Sequence, residues 1–362
     1  AAMLLPALSN AKSKAVVACK GITGDVFLVS EPARQAVADV HVICSTRKKT
    51  VGFDIGLRHP ANTVYQVSAV ILEKGKPAKI FSAKDFGPVI RSNGRLGVFA
   101  PWADAKIWDT DAPSNQYDVL VSILDAKGAL VCESTPVRFG FREFWIDGRD
   151  FFLNGRKIHL RALYVNNPAQ HAVNASYAGA LDTCRKLSEY GFNYYIFGNY
   201  DFAPGAVGYL DGMLGASDDS GLLAGFSLPH MKDFNSKIYL EDQARRYRNL
   251  TEWLIRRVQN HPSIVAYAMN HNATGYFGDQ NPLKIDGRYS PDTNTDPKAR
   301  RNQARTCAAI ARSIDPTRAI YHHQSGNLDD MHTVNCYLNW VPRQERSQWI
   351  GNWSTNGVKP RF

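Results

Sequence analysis

The pattern of the sequence changes near residue 142, and this change constrains the fold more than any other feature. From Asp25 to Arg142, short segments rich in Val and Ile follow one another, separated by turn sequences such as Asp125-Ala126-Lys127-Gly128. The strand-like segments are VFLVS, ADVHVIC, VGFDIGLRH, VYQVSAVILE and YDVLVSILD. Because no helical period lies between them, residues 31–142 are predicted to form an immunoglobulin-like β-sandwich.

After residue 142, strand-like and helical segments alternate. The strand-like segments are IHLRALYV, FNYYIFG, LLAGFSLPH, SIVAYAMNH, RAIYHHQSG and HTVNCYLNW, and helical segments such as YAGALDTCRKLSEYG lie between them. Such a repeat implies parallel strands with helical crossovers, either in a doubly wound sheet or in a (β/α)8 barrel. No Gly-rich phosphate loop follows the first strand, which disfavours a nucleotide-binding sheet.

A barrel over residues 143–362 would be incomplete. Only six of its strands are found by Tyr337, whereas a TIM barrel has eight. We therefore expect the last two strand–helix units to lie beyond Phe362. The isolated chain is expected to be inactive, with an exposed sheet edge that favours aggregation.

Composition excludes several classes of function. Lys plus Arg number 43 and Asp plus Glu number 33, but the resulting charge of +10 is spread along the chain. The densest basic run, Arg47-Lys48-Lys49, lies in a turn between strands, so a solvated basic surface is predicted rather than a nucleic-acid interface. No apolar stretch approaches the roughly 18 residues of a membrane span.

The cysteines give no support for a metal or redox site. None of the six lies in a C-x-x-C pair, and no other metal-ligand spacing is visible. Cys44 and Cys132 lie on strand-like segments, so a disulfide between them stays open. Most of the cysteines are expected to be buried thiols.

The junction between the two patterns resembles a known family. Phe139-Gly140-Phe141-Arg142 and then Phe152-Leu153-Asn154-Gly155 precede the first strand of the strand–helix repeat. Four further stretches follow the same order: KIWDTDAPSNQYDVLVSILD, CRKLSEYGFN, SDDSGLLAGFSLPH and NHPSIVAYAMNHN. Together they resemble glycoside hydrolase family 2, which includes β-galactosidases, β-glucuronidases and β-mannosidases. The run GITGDVFLV resembles the end of that family's jelly-roll domain, so residues 1–30 are interpreted as a remnant of it.

The resemblance implies a retaining β-glycosidase that acts on a β-linked glycoside or oligosaccharide. Such enzymes place two carboxyl groups about 5–5.5 Å apart across the scissile bond. Both are expected at the carboxyl ends of barrel strands. No cofactor and no metal is implied, neither nucleic acid nor a membrane is expected as a partner, and an oligomer of the longer parent stays possible.

The sequence departs from the family where the acid/base Glu belongs. Alignment on Asn260-His261-Pro262-Ser263 puts Asn270, His271 and Asn272 at the end of strand four, so Asn272 replaces the Glu. An amide has no acidic proton to transfer. On strand two, the family's Arg and His become Ile196 and Asn199, and the nucleophilic Glu is expected beyond Phe362.

Three interpretations of the strand-four end stay open. The chain belongs to a divergent subfamily with another acid, for which His271 and Asp279 are candidates, or it is an inactive carbohydrate-binding relative, or the Glu has been exchanged by engineering. The long polar loop that follows favours the first, because long loops on this side of a barrel carry function. A third class of function, an interaction protein that works through its sandwich, is the remaining alternative.

Polar residues that follow the other strands are the candidate sugar contacts. They are Asn166 after strand one, Asn199 and Asp201 after strand two, His230 after strand three, Asn270 after strand four, His323 on strand five, and Tyr337 and Trp340 at the end of strand six. Strand alternation allows only one of His322 and His323 to face the site. Asp218 and Asp219 are expected on a solvated helix face or cap, and His261 is expected to be structural.

Overall fold

A computed structural model describes residues 34–92, 94–165, 176–197, 207–230, 237–269, 297–323, 326–333 and 342–356. No helix in these ranges is long and apolar enough to cross a membrane. Nor do the described ranges contain a cluster of His, Cys, Asp or Glu side chains that could hold a metal ion.

The first part of the chain forms two antiparallel sheets around one core. The strands are β1 Ala36–Ser45, β2 Thr50–Arg58, β3 Gln66–Glu73, β4 Lys76–Phe81, β5 Ile90–Ser92, β6 Arg95–Pro101, β7 Tyr117–Leu124, β8 Leu130–Glu133 and β9 Val137–Phe139. One sheet has the order β1-β2-β6-β5, and the other has the order β4-β3-β7-β8 with β9 also paired to β7. In β7, buried Val119, Val121 and Ile123 alternate with more exposed residues, as expected of a strand that covers a core.

A small antiparallel sheet comes next. Its strands are β10 Phe144–Asp147, β11 Asp150–Leu153 and β12 Arg156–Ile158. Phe144 and Leu153 are buried with Trp108 in a cluster that also contains Tyr194 and Val265 of the following parallel sheet. This sheet therefore closes one side of the parallel sheet.

The rest of the chain alternates strands and helices as far as Tyr321, as the sequence predicts, and then forms an antiparallel hairpin. The described start of the predicted parallel strand HTVNCYLNW belongs to that hairpin. The strands are β13 Ala162–Val165, β14 Tyr194–Phe197, β15 Leu223–Ser227, β16 Ile264–Ala268 and β17 Ala319–Tyr321, followed by the hairpin β18 Gly326–Leu328 and β19 Met331–Thr333. The helices are α1 Tyr177–Glu189, α2 Val207–Ser220, α3 Glu241–Val258, α4 Pro297–Ile314 and α5 Arg343–Asn356. Strands β13 to β17 form one parallel sheet in sequence order. Several antiparallel sheets followed by a parallel sheet are thus confirmed.

One predicted strand is wrong in extent. The segment IHLRALYV divides between two sheets, because β12 ends at Ile158 and β13 begins at Ala162. The Asn193 side chain takes the backbone groups in between: its amide donates to the His159 carbonyl at 2.9 Å and its oxygen accepts from the Arg161 amide at 2.7 Å. A backbone bonded to a side chain is not available for a strand ladder.

The junction motif joins the antiparallel sheets to the parallel sheet. A Cβ on Gly140 would lie 2.8 Å from side-chain atoms of both Pro262 and Trp108, so only glycine permits this approach. Asn260 completes the joint, since its amide donates to Val40 O at 2.7 Å and its oxygen accepts from Val42 N at 2.8 Å along β1.

The cysteines described are all free thiols. The disulfide left open between Cys44 and Cys132 is therefore absent. Burial raises the pKa of both thiols, that of Cys44 to about 12, which keeps each of them a neutral thiol.

Candidate active site

The carboxyl ends of the parallel strands define the candidate site. Phe197, Phe226, Tyr267 and Ile320 lie abreast in the register of β14 to β17. Residues that follow these positions consequently share one edge of the sheet, where parallel sheets carry their sites. Two predicted sugar contacts are described there: His230 follows β15 and is buried, and His323 follows β17 and is partly buried.

The other predicted site residues lie outside the described residues. They are Asn166, Asn199, Asp201, Asn270, His271, Asn272, Asp279, Tyr337 and Trp340. Asn270 directly follows Met269, the last described residue after β16. The roles assigned to these residues stay predictions.

The two neighbouring histidines after β17 have different surroundings. His322 is 1% exposed, and its Nε2 contacts the carboxylate of Asp329 in the turn between β18 and β19. Ile320 belongs to the core on the helix side of the sheet. Strand alternation puts His322, two residues later, on that same side and His323 on the opposite, inner face. Burial lowers the pKa of His323, which leaves a neutral imidazole able both to donate and to accept at a hydroxyl.

The inner face of the sheet is apolar at its centre. Ile196, which replaces the family's Arg, packs against the apolar cluster that contains Tyr194 and Leu223. The Tyr194 hydroxyl lies over Gly225, where any Cβ would overlap it. Burial, and secondly the neighbouring Tyr321, raise the pKa of Tyr194, so this phenol stays a neutral hydrogen-bond donor.

Ser227 is a candidate that the sequence analysis missed. It is the last residue of β15 and is 1% exposed. Two residues after Gly225, it falls on the same inner face. Its Oγ makes no hydrogen bond within the described part of the chain. A hydroxyl in the apolar strand LLAGFSL was the available signal, because buried hydroxyls normally have partners.

Replacement of Ser227 by alanine is expected to leave the free energy of unfolding unchanged or to raise it by up to about 1 kcal/mol, because it removes a buried hydroxyl without a partner. Urea unfolding measures the change. Ser263→Ala is the matched control: that hydroxyl is equally buried and donates to Asp218 at 2.6 Å, so its loss should cost about 1.5–3 kcal/mol. Equal losses for both variants would contradict the unpaired state of Ser227.

Asp218, whose role was predicted wrongly, holds the His261-Pro262-Ser263 segment that leads into β16. Asp218, expected on a solvated face, is only 5% exposed. Its carboxylate accepts from the Ser263 amide at 3.1 Å and lies 2.6 Å from Nδ1 of His261. The end of α2 is buried because Trp108 Nε1 donates to the Asp218 carbonyl at 3.0 Å. His261 has the structural role expected of it, and the start of the strand that leads to Asn272 is fixed.

Comparison with known proteins agrees with this arrangement. The chain is 22% identical to a β-glucuronidase of Paenibacillus borealis over 294 residues. This alignment covers 74% of this chain and 44% of the relative. It is 26% identical to a β-galactosidase of Thermoanaerobacterium thermosulfurigenes over 246 residues. This second alignment covers 65% of this chain and 28% of the relative. A solved family 2 β-galacturonidase of Eisenbergiella tayi, bound to galacturonate, has a TM-score of 0.57 at 17% identity and covers 91% of this chain and 56% of that chain. The chain is a divergent relative of the family 2 glycoside hydrolases.

The resemblance predicted from the junction motif and its four companion stretches is therefore confirmed. No protein-family model matches the chain. This family 2 relative spans less than half the length of the two curated enzymes. Its similarity to the solved galacturonidase, at 17% identity, is a similarity of fold.

Proposed function

We propose that this family 2 relative belongs to a retaining β-glycosidase that hydrolyses O-glycosidic bonds of carbohydrates, in the manner of a β-galactosidase. One observation carries the proposal. A chain with two antiparallel sheets followed by a five-stranded parallel sheet aligns over 74% of its length with a β-glucuronidase. The proposal concerns the whole protein, because the chain spans less than half the length of the two curated relatives.

The proposed architecture has three parts. Residues 1–30 are the remnant of a jelly-roll sugar-binding domain, residues 31–142 form an immunoglobulin-like β-sandwich, and residues 143–362 form strands one to six of a TIM barrel. The parallel order β13 to β17 supports the barrel part, since helical crossovers on one side of a parallel sheet are its building unit.

The substrate is proposed to bind at the carboxyl ends of the parallel strands. Hydroxyl contacts are assigned to Asn166, Asn199, Asp201, Ser227, His230, Asn270 and His323, and aromatic contacts to Tyr337 and Trp340. The buried hydroxyl of Ser227 on the inner face, which has no partner among the described residues, supports this choice of edge. An unpaired buried polar group costs stability that a ligand hydroxyl would restore.

Catalysis is proposed to follow the retaining course with an altered acid. A carboxylate nucleophile forms a glycosyl–enzyme intermediate while an acid protonates the leaving oxygen, and the conjugate base of that acid then activates water. Asn272 occupies the acid position and has no proton to give. The replacement acid is therefore assigned to His271 or Asp279.

The test is release of 4-nitrophenol from its β-D-glucuronide, β-D-galacturonide and β-D-galactoside by the product of the complete reading frame. Turnover of at least one glycoside is expected. Saturable sugar binding without turnover by the complete product would indicate an inactive carbohydrate-binding relative. Neither binding nor turnover would reject the glycosidase proposal.

Two substitutions in the complete product identify the acid. His271→Gln or Asp279→Asn is expected to lower kcat by about 100-fold or more, as the loss of a general acid does. The variant that lowers kcat should also remove the alkaline limb of the pH profile. The other variant is its matched control and should retain that limb. An unchanged rate in both variants would place the acid elsewhere.

A further inference from the structure

A cavity lies between the antiparallel sheets and the opposite edge of the parallel sheet. Its volume is about 650 Å³, within the roughly 300–1,000 Å³ of small-molecule sites. Its walls come from β1, from β9 and β10, and from the segments that precede β16 and β17. Most of its lining therefore lies at the amino ends of the parallel strands, and Asp329 and Asp330 of the final hairpin complete it.

Apolar side chains form one wall of this cavity. They include Val42, Phe139 and Phe144, all nearly buried. Trp145 also lines the cavity, where Phe152 stacks on its ring at 5.5 Å between centroids and the Arg47 guanidinium lies 4.3 Å from the ring centroid. Phe99 adds an exposed ring to the same cavity, so the apolar part of its lining is suited to a small hydrophobic body.

Arg142 brings a buried positive charge to the cavity. The residue is 7% exposed. Its Nε donates to the Pro262 carbonyl at 2.8 Å, and its Nη2 donates to the Ile264 carbonyl at 2.5 Å. Both partners are neutral, and the residues the structure describes provide no carboxylate within 4 Å of this guanidinium. Nη1 has no protein acceptor within the same ranges.

The other charges of the wall are paired, except for the exposed Lys48 at its edge, for which no ion pair is found among the described residues. Arg318 lies 3.4 Å from the carboxylate of Asp315. The wall carboxylates are paired as well, Glu143 with Arg47, and Asp329 and Asp330 with Arg312. Burial first, and then the neighbouring Arg318, lower the pKa of Arg142 to about 9. Asp315 opposes this lowering from a distance, and the guanidinium is still a cation at neutral pH. A buried cation that no described carboxylate contacts directly is costly.

We propose that this cavity binds a small organic carboxylate, whose carboxylate group accepts a hydrogen bond from Nη1 of Arg142 and whose apolar body packs against Val42, Phe139 and Phe144. The proposal is argued from Arg142 and the apolar wall alone, so it does not rest on the proposed glycosidase function.

Benzoate and benzamide are the probes, because they share shape and apolar body and differ in charge. Isothermal titration of the full chain at pH 7 is expected to give saturable one-to-one binding of benzoate. Benzamide should bind about tenfold more weakly or less, the difference expected for a hydrogen bond to a charged group. Equal affinities, or the absence of saturable benzoate binding, would overturn the proposal without touching the glycosidase assignment.

Two variants test whether the Arg142 guanidinium causes the preference for benzoate over benzamide. Arg142→Met keeps a long apolar side chain and should abolish the preference for benzoate over benzamide. Lys48→Met removes an exposed cation of the same wall and should change the preference by less than about twofold. A preference that survives in folded Arg142→Met, or that disappears in Lys48→Met, would overturn the role of Arg142. If Arg142→Met does not fold, the comparison of the two ligands on the unaltered chain still decides.

Discussion

Replacement of Asp315 by alanine is expected to lower the free energy of unfolding by about 3–5 kcal/mol, as removal of one partner from a buried ion pair does. Asp315 has no exposed surface. Its Oδ2 accepts from the Tyr267 hydroxyl at 2.6 Å and lies 3.4 Å from the Arg318 guanidinium. Its Oδ1 accepts from the amide and the hydroxyl of Thr317 at 2.8 and 2.6 Å.

The large effect follows from what the alanine would leave behind. Arg318 is 8% exposed and would lose its counter-charge, while the buried Tyr267 hydroxyl would lose its acceptor. Burial alone would raise the pKa of Asp315, but Arg318 and the donors around it outweigh burial and hold the pKa far below its usual value. The ionised carboxylate is therefore the form that the fold requires.

Urea unfolding at pH 7 measures this effect, and an exposed aspartate supplies the control. Asp182 pairs with Lys186 at 2.6 Å on the surface of α1, and both side chains are more than half exposed, so Asp182→Ala should cost less than about 0.5 kcal/mol. Asp315→Asn keeps the shape and loses only the charge, and should fall between the two. A cost for Asp315→Ala no larger than for Asp182→Ala would contradict the central role of this carboxylate.

The elements with strong local signals were predictable from the sequence. The amphipathic segment before Pro262 forms α3, and the segment ended by Gly191 forms α1, where Gly191 has φ +86. The Val-rich alternating segments form β1, β2, β3 and β7. Period and turn chemistry are local properties, so a single sequence reveals them.

The contacts that unite these elements were not predictable in the same way. Asp218 reads as a solvated residue of α2, yet it is buried through its contacts with His261 and Ser263, more than forty residues away. Asn193 ends the strand before β13 through His159 and Arg161, more than thirty residues earlier. No local pattern announces such partners, because only the completed fold brings them together.

In the candidate site too, the features that follow from local patterns were predictable, and those that depend on long-range contacts were not. The edge of the sheet that carries it follows from parallel topology, which the strand–helix repeat predicts. His322 and His323 are assigned to opposite faces by strand period alone, and the contact of His322 with Asp329 agrees. Ser227 was missed because a lone serine in an apolar strand has no meaning until its partners, or their absence, can be seen.

Lowering the pH is expected to reduce the free energy of unfolding through His41, whose Nε2 lies 4.0 Å from the Asp315 carboxylate. His41 on β1 is 1% exposed, and its Nε2 lies 3.4 Å from Nη1 of Arg318, an arrangement that requires a neutral ring able to accept. Burial lowers its pKa to about 4 from 6.5, and Arg318 adds to this while Asp315 opposes it.

The direction follows from proton binding. Between pH 6.5 and 4 the unfolded chain binds a proton at His41 and the folded chain does not, so stability falls as the pH falls through this window. A displacement of this size corresponds to about 3 kcal/mol, present in full above pH 6.5 and lost near pH 4. Asp315 contributes little to this change, because its carboxylate stays ionised above about pH 4 in both the folded and the unfolded chain. Its lowered pKa in the folded chain confines its effect on stability to still lower pH.

His41→Gln should remove this part of the pH dependence, because glutamine can accept from Arg318 but does not titrate. The free energy of unfolding of the unaltered chain and of the variant, measured by urea at half-unit steps from pH 7 to pH 4, should converge as the pH falls. His59→Gln is the matched control, since His59 is exposed, and its curve should stay parallel to that of the unaltered chain. Parallel curves for His41→Gln as well would mean that His41 is not kept neutral by the fold, and that the joint between β1 and the parallel sheet tolerates a further positive charge beside Arg318.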